Sequence, residues 1–195
     1  RLDRAPAARH ESAMTGSIKR LAVPLSDNDA RLELLGPRHY DGLRAACAAD
    51  PDIWDIYPVN MTGDDFDRVM EARERFHDAG KWINYAVLHA GEVVGISSYI
   101  DPVERDGVVE IGGTYIAPQI RGTGFNGTIK RLMIDNALAA GFTRIEFRID
   151  TRNTRSMAAV AKLGATREGT LRKNRVTWTG FVRDTAVFGL LADEW

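Results

Sequence analysis

The sequence predicts a mixed α/β fold of the α+β kind: one central sheet of about seven strands, mostly antiparallel, flanked by about four helices. Three observations lead there. Residues 82–100 read as two strand-forming runs joined at Gly91-Glu92, a two-residue hairpin connection. Residues 144–150 alternate with period two, placing Ile145, Phe147 and Ile149 on one side and Arg144, Glu146, Arg148 and Asp150 on the other. Helical patterns precede, interrupt and follow these strands in the chain, so both faces of the sheet have something to cover them.

The elements follow in order. Residues 31–35 alternate weakly and form a first strand, which Gly36-Pro37 ends. Pro37 suits the first turn of a helix, and Tyr40, Leu43, Ala46 and Cys47 follow at helical spacing up to Asp50-Pro51. After an irregular stretch, Thr62 is placed to cap a second helix with Asp64, Asp65 and Asp67 in its first turn. Phe66, Val69, Met70, Arg73 and Phe76 line the inner side of that helix, and Gly80 ends it. The strand at 82–89 turns at Gly91-Glu92, a type II′ pattern with glycine first, into its partner at 93–100. A third strand over 108–117 stops at Pro118. Helices over 124–140 and 153–163 end at Gly141 and Gly164, and two long strands turn at Thr179-Gly180.

The 195 residues suit one domain, taken as 29–195. Residues 1–28 are expected to be an extension or tag-like tail with little order; Arg1, Arg4 and Arg9 have no apolar segment behind them, and Met14 offers an alternative start. The hydrophobic fraction is 44% and the net charge −1, which gives no basis for binding nucleic acid or an anionic membrane. No apolar run approaches the roughly 18 residues a spanning helix needs. The single cysteine, Cys47, rules out an internal disulfide and fits a reducing, cytoplasmic setting. His10, His39, His77 and His89 have no ligand spacing, so no metal site is expected, and no G-x-S-x-G segment is present. Charge is uneven: residues 50–67 hold six aspartates and no basic residue, whereas 144–175 hold nine Lys or Arg against three acids. These are either two solvated surfaces or an acidic region near a cationic substrate and a basic region near a polyanionic cofactor. Trp54, Tyr57, Phe66 and Phe76 either pack a core or line an acceptor pocket.

The segment from Ile116 to Asn126 carries the most chemistry. A strand ends, Gln119, Ile120, Arg121, Gly122, Thr123 and Gly124 form a loop, and a helix begins at Phe125. Such a loop presents backbone N–H groups at a helix N-terminus, and its glycines let a phosphate approach them. Arg121 adds a mobile positive charge, and Asn126 and Lys130, one turn apart, are candidates for the same phosphate site. Gly122-x-Gly124-x-x-Gly127 also fits the dinucleotide-binding pattern, but that motif follows the first strand of a parallel fold, and this loop follows a meander. An ordinary turn before a helix is the plain alternative.

Gln119-x-x-Gly122-x-Gly124 between a strand and a helix resembles the phosphate-binding motif of the Gcn5-related N-acetyltransferases. Asn153-x-x-Ser156 followed by Lys162-Leu163-Gly164-Ala165 resembles a segment of the branch related to the RimJ/RimL ribosomal-protein N-terminal acetyltransferases. Glu168-Gly169-Thr170-Leu171-Arg172, Arg183-Asp184-Thr185 and Glu194-Trp195 resemble the ending of that branch. The resemblance covers residues 31–195 and implies acetyl-CoA as co-substrate, lying between two splayed central strands. It places the pantetheine arm against Tyr115, Ile116 and Ala117, and the pyrophosphate on the loop from Gln119 to Asn126. It implies direct transfer to a primary amine, either a small molecule or a protein N-terminus. The implied roles are Glu110 as general base, the Ile116 N–H as oxyanion donor, Ser156 as proton donor to the thiolate, and Asn153 as helix cap and pantetheine contact. Retention of the fold for binding alone is the rival reading. Gly113 departs from the bulky residue usual there and widens the acceptor or acyl site. The long C-terminal strands offer an edge for a homodimer.

Overall fold

The structure, a computed structural model, describes residues 16–195. Its centre is one eight-stranded sheet in the order β1-β2-β3-β4-β5-β6-β8-β7, with strands β1 (Leu25–Asp27), β2 (Ala30–Leu34), β3 (Trp82–His89), β4 (Glu92–Val103), β5 (Val108–Ile116), β6 (Arg144–Asp150), β7 (Thr166–Val176) and β8 (Val182–Leu191). The only parallel neighbours among the described residues are β5 and β6; every other pair is antiparallel. Five α-helices accompany the sheet: α1 (Ile18–Leu21), α2 (Tyr40–Ala48), α3 (Asp65–Asp78), α4 (Phe125–Ala139) and α5 (Thr154–Ala161). The predicted order of elements holds from residue 30 onward.

Residues 17–28 were expected in the tail and instead belong to the fold. Leu21 is fully buried, Tyr85 Oη donates to the Val23 carbonyl at 3.0 Å, and β1 pairs with β2 through a turn at Asn28 and Asp29. This accounts for the extra strand. The expectation for residues 1–13 lies outside the described residues.

Apolar periodicity sets the layers. Leu43 and Cys47 of α2 and Phe66 and Met70 of α3 pack on one face of the sheet with Trp54, Ile96 and Tyr115. Ile129, Met133, Ile134 and Ala137 of α4 pack on the other face with Val109, Ile111, Ile145 and Phe147. Trp54 and Phe66 are core residues, so the pocket reading does not hold for them, and Phe76 lies half-exposed on the Trp82 ring. Thr62 does not cap α3; its hydroxyl donates to Asn60 and Asp64 takes the cap position. The β3–β4 turn falls at Ala90-Gly91, both with positive φ, one residue earlier than predicted and of the type I′ kind.

The site is created by unequal pairing around β5. On its β4 side, β5 is paired up to Ile116↔Gly95, with one extra residue bulged between Gly112 and Tyr115. On its β6 side, pairing stops after Val108↔Arg144, Val109↔Ile145 and Glu110↔Glu146. β6 stays paired to β8 along its whole length, from Arg144↔Leu191 to Asp150↔Thr185. From residue 111 onward β5 and β6 therefore diverge, and no strand among the described residues fills the gap.

Candidate active site

The gap runs between residues 111–116 of β5 and the second half of β6, and the glycine loop stands at its open end. The loop is solvent-exposed, Gly122 and Gly124 take positive φ, and a side chain at either would meet nothing within 4 Å. The amides of Gly122, Thr123, Gly124 and Asn126 have no hydrogen-bond partner among the described residues. Free amides at the start of a 15-residue helix are what an anionic diphosphate needs. The residues present thus fit a nucleotide-linked pantetheine.

Two groups expected at the phosphates are engaged elsewhere. Arg121 is not mobile: its Nε donates to the Ile116 carbonyl at 2.6 Å, and its Nη1 pairs with the Asp50 carboxylate. A half-buried guanidinium with an acid partner shapes the loop, and the Arg121 N–H is likewise engaged, by the Pro118 carbonyl. Lys130 does not reach the loop either. Side chains on a helix lean back toward its N-terminus and onto the packed face; Lys130 enters the sheet, where Nζ donates to Thr114 Oγ1 at 2.6 Å and lies 5.8 Å from the centre of the Phe147 ring. Burial drives its pKa down to about 7.

Glu110 stands at the last paired position of β5, where the gap opens. Arg148 Nε lies 3.5 Å from its carboxylate, yet burial dominates and pushes the pKa up to about 7. The carboxyl leans along the strand: a Cβ at Gly112 would sit 2.6 Å from Glu110 Oε1. Glu110 also lines a cavity of about 310 Å³ with Ile100, Asp101, Val108, Glu146 and Arg148.

Ile116, expected to supply the oxyanion donor, is six residues further along the strand than Glu110. At roughly 3.3 Å per residue their backbones lie roughly 15–20 Å apart, a span the leaning Glu110 carboxyl shortens. The bulge at Gly113 and Thr114 lies between them, next to the Glu110 carboxyl. Tyr57, which sequence reasoning assigned to a core or an acceptor pocket, donates its hydroxyl to the Thr114 carbonyl at 2.7 Å and holds the bulge. Tyr115 and Ala117 are buried, with Tyr115 Oη donating to the Ala46 carbonyl, so only their backbone borders the gap.

Asn153 caps α5: its Oδ1 accepts the Ser156 N–H at 3.0 Å. Ser156 sits half-buried in the first turn of that helix.

The chain matches the profile of the acetyltransferase (GNAT) domain over residues 31–166. No curated protein is a significant sequence match. Among solved structures, a probable acetyltransferase of the GNAT family from Chromobacterium violaceum ATCC 12472 is 27% identical, with a TM-score of 0.85, over 95% of this chain and 99% of that one. A GCN5-related N-acetyltransferase from Brucella melitensis is 25% identical, with a TM-score of 0.81, over 89% and 80%. The spermidine N-acetyltransferase from Vibrio cholerae, solved with CoA and spermine, is 16% identical with a TM-score of 0.72 over 86% and 98%, a likeness of fold alone. By its matched domain and its splayed sheet, this chain belongs to the GNAT acetyltransferase family.

Proposed function

We propose that the chain is an acetyl-CoA-dependent N-acetyltransferase acting by direct transfer on a primary amine: a small-molecule amine, an amino acid or a protein N-terminus. The observation that carries this reading is the loss of β5–β6 pairing after Glu110, next to a loop of free amides. The backbone of Tyr115, Ile116 and Ala117 would lie along the pantetheine, and the free amides of Gly122, Thr123, Gly124 and Asn126 in the loop from Gln119 to Asn126 would meet the diphosphate. When bound, the co-substrate supplies an activated acetyl group as a thioester. Glu110, with a pKa near neutrality, takes the proton that the attacking ammonium must lose. The backbone N–H of Ile116, or those of the bulge at Gly113 and Thr114 nearer Glu110, would stabilise developing negative charge on the carbonyl oxygen. Ser156 is the hydroxyl at the α5 end available to protonate the departing thiolate.

The segments around Asn153, Glu168 and Arg183 favour the RimJ/RimL-like branch within the family. Cys47 is buried, its thiol pushed up to about 12, which suits a reducing cytoplasm and leaves it no part in the chemistry. β7 lies exposed at the sheet edge, and Val176, Trp178, Phe181 and Val182 are exposed on the terminal hairpin, a surface suited to a second copy.

The experiment pairs melting with thiol release. Acetyl-CoA at about 100 times its Kd stabilises by roughly 2.7 kcal/mol. A melting shift with acetyl-CoA and not with NAD(P)H, and amine-dependent release of free CoA, are expected. A shift without release from any amine would favour a binding protein, and no shift would refute the co-substrate.

A further inference from the structure

Arg73 lies on the inner face of α3 and is 5% exposed, yet no carboxylate among the described residues pairs with it. Its Nη1 donates to Asn84 Oδ1 and Ser98 Oγ, both at 3.0 Å. The other edge of the guanidinium has no polar partner, and the Trp82 ring centre lies 5.2 Å from Cζ. Nε is enclosed with no hydrogen-bond partner, and Nη2 also has none. Nε–H and Nη2–H point the same way and form the edge that receives both oxygens of a carboxylate. Burying a cation without a counter-ion is strongly unfavourable, so a site that maintains one is organised for an anion that arrives.

Its position says which anion. Ser98 pairs with Gly112 across the sheet, and Nη2 lies 3.2 Å from where a Cβ on Gly113 would be. Gly113 has φ 58, so the bulge brings bare backbone against the guanidinium. The Glu110 carboxyl leans over Gly112, the neighbouring residue, and makes no ion pair with Arg73. A proton acceptor and an unpartnered guanidinium edge thus approach neighbouring residues of the bulge, Gly112 and Gly113. The acidic segment does not offset this: Asp50, Asp65 and Asp67 are neutralised by Arg121, Arg68 and Arg44.

From this juxtaposition we infer that the acceptor is a small amine carrying a carboxylate, bound with its amine at Glu110 and its carboxylate on the Nε/Nη2 edge of Arg73. The inference rests on the N-acetyltransferase reading and narrows its acceptor class.

The test presents matched amines that differ in one group: amino acids, their amides and the corresponding decarboxylated amines, with spermidine as the polycation. With saturating acetyl-CoA, kcat/KM is expected to be at least tenfold higher for acids than for amides. Arg73→Met abolishes the preference by raising KM for the acid while KM for acetyl-CoA stays unchanged, and Arg73→Lys restores part of it. Equal or better turnover of amides or spermidine by the unaltered protein would overturn the inference. The same compounds are compared in melting experiments with and without CoA, which need neither catalysis nor a folded variant. A larger shift with acids supports the site; equal shifts with acids and amides refute it. The absence of any shift with CoA itself would sink the co-substrate reading instead, while the acid–amide contrast on the protein alone still decides the Arg73 site.

Discussion

The two sides of β6 carry opposite instructions. Toward β8 the strand is paired at every residue from Arg144 to Asp150; toward β5 it is paired at three and then released. The closed side is a packing problem: Phe147 faces Phe188 in register, and Leu190 and Ala186 are buried beside them. The open side collects the groups that packing alone would reject. Glu110, Lys130 and Arg73 are buried or nearly so, each displaced toward its neutral form by burial. Substitutions on the two sides should therefore fail differently, by lost stability on the closed side and lost chemistry on the open one.

Phe188→Ala should show the first kind of failure at its largest. The ring is 4% exposed, and deleting a buried Phe costs about 3–5 kcal/mol, read by denaturant unfolding. Stabilisation by acetyl-CoA at a fixed multiple of Kd should be unchanged. Glu110→Gln should show the second: kcat/KM falls by about 10²–10⁴ with a melting point close to the original or above it. The pH profile carries the same distinction. The charged form is the working base and its pKa is about 7, so kcat/KM should rise as pH passes through 7, and this limb should vanish in Glu110→Gln. Stability runs the other way, because between about 4.5 and 7 the folded state holds a proton the unfolded chain has lost, so this group destabilises increasingly across that window.

Gly112→Ala should be smaller. The added Cβ meets the Glu110 carboxyl and displaces it, so kcat should fall about 10- to 100-fold with KM for acetyl-CoA little changed. Steady-state kinetics check it, and an unaltered kcat would mean that the carboxyl position does not matter. Lys130→Met should be smallest and seen in stability. The lysine's folded pKa, about 7, lies below its ordinary 10.5. Stability of the unaltered protein therefore rises as pH goes from 7 to 10.5, where the unfolded chain alone holds the proton. The Met variant should lose that slope, a difference of at least about 1 kcal/mol across the window.

Much of this was legible in the sequence. The alternation of 144–150 and the hairpin around Gly91 fixed strand faces, and Gln119, Gly122 and Gly124 marked the loop. Asn153 was readable as a cap because an Asx side chain three residues before a free helix N–H has an obvious use. What escaped lay in contacts between distant segments. Lys130 was placed at the phosphates from its spacing to Asn126, but spacing along a helix does not show which way the side chain leans. Arg121 looked mobile because its partner, Asp50, is 71 residues away. Leu21 was set aside with the segment read as a tail, and the four-residue helix that carries it is too short to show a period. Arg73 did leave a signal, a cation on an apolar stripe with Phe66 and Met70, and its meaning emerged only with Gly113 and Ser98 beside it.

Everything proposed for the open side depends on the unpaired edge of β5 being completed by the pantetheine arm of acetyl-CoA. Backbone amide hydrogen exchange, with and without acetyl-CoA, reads that edge residue by residue. Residues 111–117 and 122–126 should become protected on binding, while residues 185–191 of β8, already paired, change little. Protection confined to other segments, or none at saturating acetyl-CoA, would mean that the co-substrate does not lie along β5.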